Sequence, residues 1–180
     1  GAKLDGTTDD LPIIVEAFKQ HDNIVIPGDG VLAVSDTLFI PSGKSLVGTS
    51  TNIRGFRDTP TIKYVGTTDR RKAVVVIGNN NVGAEPSKDA SNVQFMNILV
   101  DANNRAGFGV YGTYLVNETV INNVAAINSL EYNMYFARGW YATITNLTSL
   151  ACKGKGIALG MPLEYQDGTK VNWLTPSPLE

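Results

Sequence analysis

The apolar positions follow a helical period once and then fall into short alternating runs. Leu11, Ile14, Val15 and Phe18 lie at i, i+3, i+4 and i+7, one stripe of a helix. Asp9 or Asp10 can cap its start, and Pro12 is tolerated in its first turn. The helical pattern stops before His21. Beyond it, NIVIPGDGVLAV from Asn23 reads as two strands about a Pro-Gly-Asp-Gly turn. TLFIPSGKSLVGTS from Thr37 reads as two more, turning at Pro41-Ser42-Gly43. TIKYVG from Thr61 and KAVVVIGN from Lys72 continue the series, and residues 79–91 form a polar loop without period. Strands spaced about ten residues apart with turn signals between them fit a sandwich, a barrel or a solenoid. Internal repetition is what separates these.

The chain repeats itself. FMNILV from Phe95, INNVAA from Ile121 and ITNLTS from Ile144 align at spacings of 26 and 23 residues. Asn97, Asn123 and Asn146 match, as do Ile98, Val124 and Leu147. Ten residues after each asparagine a second block starts: GFGV from Gly107, NMYF from Asn133 and GIAL from Gly156. Repeats of this length made of short strands predict one turn each of a parallel β-solenoid. Coils stack at about 4.8 Å, so equivalent side chains lie above one another. An unpaired amide inside an apolar run costs about 1–3 kcal/mol. A ladder of Asn97, Asn123 and Asn146 at an inward bend, each bonding the next, would remove that cost. The predicted class is all-β: a right-handed, single-stranded parallel β-helix with a short N-terminal capping α-helix. Residues 1–22 are the opening motif and cap, 23–175 are coils of a longer helix, and 176–180 read as a tail, ending in a Leu-Glu of the kind a cloning vector leaves.

Composition agrees with many strands and tight turns: 18 glycines and 18% charged residues. A net charge of −2 without charge blocks gives no sign of a nucleic-acid partner or of membrane insertion. One cysteine, Cys152, and one histidine, His21, exclude an internal disulfide and a Cys- or His-cluster metal site. No metal and no cofactor is expected. GFGVYG at 107–112 fits a dinucleotide-binding pattern, but the β-branched TYLVNETV follows where a helix should. SGKS at 42–45 lacks the earlier glycine of a phosphate loop, since Leu38 stands there.

The opening GAKLDGTTDD, the helix, the strand–Pro-Gly–strand segment at 24–34 and the Pro-Ser-Gly turn at 41–43 resemble the N-terminal signature of the pectate-lyase-like right-handed β-helix superfamily. The matching residues are Gly1, Ala2, Lys3, Asp5, Gly6, Thr8, Asp9 and Asp10. The coils, rich in Asn, Thr and Gly, look most like the phage tailspike and tail-appendage branch. That resemblance implies a virion-borne homotrimer that recognises a cell-surface carbohydrate polymer, a polysaccharide or teichoic acid, with glycan degradation in the full-length protein. It leaves open a secreted bacterial polysaccharide lyase or hydrolase, and a purely structural segment of a virion appendage.

A packed solenoid does its chemistry on the outside. With Ile98 and Val100 inward, an outer apolar column of Leu99, Ile127 and Leu150 predicts either a subunit contact or a covering loop. EYNMYFARGWY at 131–141 offers Tyr132, Tyr135, Arg138, Trp140 and Tyr141, close to Tyr111 and Tyr114 of the preceding coil. Sugar rings stack their C–H faces on aromatics and present hydroxyls to polar groups. The candidate binding residues are therefore Tyr111, Tyr114, Tyr135, Arg138 and Trp140, and the alternative is that these rings pack a corner. Glycosidic hydrolysis needs two carboxyls. The candidates within the repeats are Asp101, Glu118 and Glu131; sequence sets no pairing among them, and the alternative is that each is a solvated surface charge.

Overall fold

A strand that buries one face still needs hydrogen-bond partners on both edges. The chain supplies them by winding, so that each strand pairs with its equivalent one coil away. The computed structural model describes residues 1–53, 58–78, 82, 89–160 and 163–171, and forms a parallel β-solenoid of about 5 turns with one helix. The tail at 176–180 and most of the polar loop at 79–91 lie outside the described residues.

In chain order the first elements are β1 (Asp5–Asp9), α1 (Leu11–Gln20), β2 (Asn23–Ile26), β3 (Val31–Val34), β4 (Leu38–Ile40), β5 (Ser45–Gly48), β6 (Thr61–Tyr64) and β7 (Asp69–Ile77). Then come β8 (Ala90–Ser91), β9 (Gln94–Asp101), β10 (Ala106–Gly112), β11 (Leu115–Val116), β12 (Val120–Ile127) and β13 (Tyr132–Phe136). The last are β14 (Gly139–Trp140), β15 (Thr143–Leu150), β16 (Lys155–Leu159), β17 (Leu163–Glu164) and β18 (Lys170–Val171). Apart from β17 and β18, which pair with each other, strands adjacent in sequence are not adjacent in the sheets. The strands on either side of the Pro-Gly-Asp-Gly turn go apart: β2 pairs with β5, while β3 pairs with β1 and β6. One long face runs β1-β3-β6-β9-β12-β15, a second runs β4-β7-β10-β13-β16, and a short corner sheet runs β8-β11-β14.

Strand β9 is flanked by two strands on one side, β5 along its first half and β6 along its second. The reason lies in its middle. The ladders of β9 with β12 and of β12 with β15 skip Asn97, Asn123 and Asn146. All three hold the left-handed backbone conformation, at φ of 58°, 54° and 52°. Asparagine tolerates this region far better than most residues. The bend resets the alternation of the strand. Phe95 and Ile98, three apart, are both buried in the core, as are Ile121 and Val124. In a straight strand they would face opposite ways.

This corrects the inward ladder expected from the repeat. Asn97 and Asn123 are half-buried and Asn146 is exposed. One rung joins them, with Asn123 Nδ2 donating to Asn97 Oδ1 at 2.8 Å. Asn123 also donates to the Thr51 carbonyl at 2.9 Å, and Asn97 to the Gly48 carbonyl at 3.4 Å. Asn146 passes over Asn123 and donates to Asn122 Oδ1 at 2.9 Å. The amide that is inside the coil is Asn133, 0% exposed. It accepts from the Ser129 amide at 3.2 Å and donates to Ser149 Oγ and the Leu150 carbonyl, both at 2.8 Å.

The second repeat block is also corrected, by two positions. Met134 stacks on Val110 and under Ile157, not on Phe108. Asp101 pairs with Ile127 and Phe108 with Tyr132. Seven positions in one coil thus match five in the next, and the corner after β9 carries the two extra residues. Interior columns then read Leu38–Val75–Val110–Met134–Ile157 and Leu46–Phe95–Ile121–Ile144.

The opening motif works through its carboxylates. Asp10 accepts the amides of Lys3 at 2.7 Å and Leu4 at 3.0 Å, and does not cap the helix with its side chain. Asp9 accepts from the Leu11 amide at 3.1 Å and from the Ser35 amide and hydroxyl at 3.0 and 2.6 Å, tying the helix start to the next coil. At Gly6 (φ 72°) an added Cβ would sit 2.9 Å from Val31 Cγ1. Of the apolar stripe, Ile14 and Phe18 are buried and Leu11 is half-buried. Val15 points away, 42% exposed.

The outer apolar residues are two columns rather than one. Leu99 aligns with Ala125, whereas Ile127 aligns with Asp101 and Leu150. Ile53, from the segment after β5, is fully buried and packs with Leu99, Ala125 and Ile127, so that segment covers this face.

Candidate functional site

The aromatic residues singled out by sequence separate into two places. Tyr111 and Tyr135 stack in register on the outer side of the second face, with centroids 5.8 Å apart and planes 8° from parallel. Phe108 and Tyr132 stack beside them at 5.5 Å and 12°. All four rings are buried. The β17–β18 hairpin lies over them, and its Tyr165 meets Phe108 edge-on at 6.0 Å. Burial pushes the Tyr135 hydroxyl up to about 12, and that hydroxyl donates to the Gly160 carbonyl at 2.7 Å. These two tyrosines are packing residues, not an open binding face.

The hairpin is clasped by charge. Glu131, 3% exposed, accepts Arg70 Nε at 2.8 Å on Oε1 and the Gln166 amide at 2.7 Å on Oε2. Arg70 Nη2 lies 2.6 Å from the same Oε1, and Nη1 donates to Asp167 at 2.9 Å. Glu131 raises the Arg70 guanidinium further above its usual range. The Thr169 hydroxyl and amide hold Asp167 below the usual carboxylate range, with Arg70 adding to the effect. Tyr132 donates to the Glu164 carbonyl. Sequence reading missed this cluster, although Asp167-Gly168 between short apolar stretches is a hairpin-turn signal.

The three acidic candidates do not converge. Glu131 is the core of the clasp, with both oxygens engaged. Asp101 accepts the Asn103 amide at 2.8 Å and Asn128 Nδ2 at 2.9 Å, closing a coil corner. Glu118 is exposed at another corner. No hydrogen-bond partner is common to any two of them among the described residues. Nor do the described residues contain a group of three or more His, Cys, Asp or Glu placed to hold a metal ion.

The second place is the open corner at β11 and β14. Leu115 pairs with Gly139 and Val116 with Trp140, which brings Tyr114 and Arg138 together one coil apart. A Cβ at Gly139 would sit 2.9 Å from the Leu115 carbonyl oxygen, so glycine permits that approach. Arg138 Nη1 donates to the Tyr114 hydroxyl, and its Cζ lies 5.2 Å from the Tyr114 ring centroid. Trp140 meets Tyr114 edge-on at 5.8 Å and 68°. Trp140 is 54% exposed and the adjoining Tyr141 87%. Arg138 and Tyr141 also line a cleft of about 230 Å³ whose apolar walls include Phe136, Ile144 and Leu159.

Compared with family models, curated proteins and solved structures, the chain matches none. The corner therefore has to be read from its own chemistry. It combines the exposed Trp140 ring with a guanidinium held over the half-buried Tyr114 ring. That pairing suits a ligand with apolar C–H faces and polar rims. No helix among the described residues is long and apolar enough to cross a membrane.

Proposed function

We propose that this β-helix is a binding module for a cell-surface carbohydrate polymer, a host polysaccharide or teichoic acid, carried on a phage tailspike or tail appendage as a homotrimer. The observation that carries the reading is the exposed corner where Tyr114, Arg138 and Trp140 meet. The Trp140 ring, open to water beside a half-buried Tyr114–Arg138 pair, gains by being covered with a C–H face. The resemblance of the opening motif to the pectate-lyase-like superfamily supports the choice of ligand class, and the Asn-, Thr- and Gly-rich coils support the phage branch. Engagement of Glu131 by Arg70 and Gln166 favours binding over cleavage by this stretch of chain.

Affinity electrophoresis through gels containing capsular polysaccharide, wall teichoic acid or polygalacturonate tests it. Retardation by one polymer, lost in Trp140→Ala with the fold retained by circular dichroism, is the expected result. Free migration in all three gels would sink the reading. Light scattering addresses assembly separately, where a trimer is expected and a monomer counts against the phage assignment.

A further inference from the structure

Tyr141 occupies a position that its neighbours fill with asparagine. The corner sheet aligns Ser91, Val116 and Trp140, so the next residues, Asn92, Asn117 and Tyr141, form one column. All three are left-handed, at φ of 53°, 41° and 59°. Two coils meet this backbone demand with the side chain that tolerates it. The third meets it with a bulky ring, for which positive φ is a true outlier. Among the described residues no packing accounts for the choice, since Tyr141 is 87% exposed. Tyr114, across the same corner, is also left-handed at φ 54°. Backbone strain kept at an exposed position is the mark of a site whose requirement is external.

We infer that Tyr141 is a ligand-contacting ring, held on the strained corner at the cleft that it lines together with Arg138. The inference rests on the carbohydrate reading and adds to it a residue and a direction: the polymer passes from Trp140 across Tyr141 toward Arg138, at the rim of the last described coil.

The consequence is an exchange of stability against binding at one position. Tyr141→Asn restores the residue type of the two coils below. It should raise the thermal midpoint and weaken polymer retention by about tenfold, the loss of one stacking partner. Tyr141→Phe should keep retention, because the ring face is what is used. The two parts of the test are read independently. A lower midpoint in Tyr141→Asn would show that the tyrosine stabilises the corner, and would overturn the inference whatever the gels show. If Trp140→Ala loses retention and Tyr141→Asn does not, the carbohydrate reading stands and this inference fails. If the unaltered protein is retained by none of the three polymers, both fail together.

Discussion

A left-handed turn costs an ordinary L-residue about 1–2 kcal/mol, and asparagine or glycine much less. The bends at Asn97, Asn123 and Asn146 spend little because of that difference. Asn123→Gly should therefore be nearly neutral, losing only the bonds to Asn97 and Thr51, while Asn123→Val should destabilise by about 2–3 kcal/mol. Equilibrium urea unfolding of both variants measures the difference, and equal midpoints would refute it. At this scale the sequence was legible in one respect. Asparagines at spacings of 26 and 23 residues marked equivalent points of successive coils. What they did there was not legible, because a bend and an interior position repeat with the same period. Only the hydrophobic spacing separates them: Phe95 and Ile98 can both be inside only if the strand turns between them. Asn133, the amide that is interior, carries no repeat, since its column neighbour below is Gly109.

The elements that define the coil were readable from local pattern. The hairpin over the aromatic flank was not, for its clasp joins Arg70 to Asp167 across 97 positions of chain. Corner length was hidden for a similar reason. Two extra residues after β9 leave the inward–outward parity unchanged, so the pattern looks in register while sitting two places off. The clasp makes a definite prediction. Glu131→Gln keeps the size of the side chain but removes its charge from the Arg70 pair, and should release the hairpin. Near-ultraviolet circular dichroism of the tyrosines, and faster proteolytic cutting near Gln166, report the release. Acid should act in the same direction. Asp167 has its folded pKa lowered, so its contribution is fully present above the unfolded value of about 4 and is lost as pH falls through the lower folded one. The tyrosine signal should thus hold from neutral pH down to about 4 and decay only below it. A loss centred near pH 6 would show that another group controls the hairpin.

At the scale of the molecule, stability in a solenoid is close to a sum over coils and their contacts, so the ends decide how unfolding starts. Here α1 closes the first end through Ile14 and Phe18. Phe18→Ala should cost about 3–5 kcal/mol and lower the temperature at which unfolding begins. Differential scanning calorimetry with an unchanged onset would show that the helix is ornamental. The strands on both principal faces pair with their equivalents above and below, and every such pairing is parallel. Their hydrogen bonds therefore point along the axis of the coil. Pulled end to end, the protein would carry the load through one coil boundary after another and peel a turn at a time, at low force. Tugged sideways, the same boundaries would have to slide as a block. A tether attached to this rod is thus strong or weak according to the direction from which the load arrives.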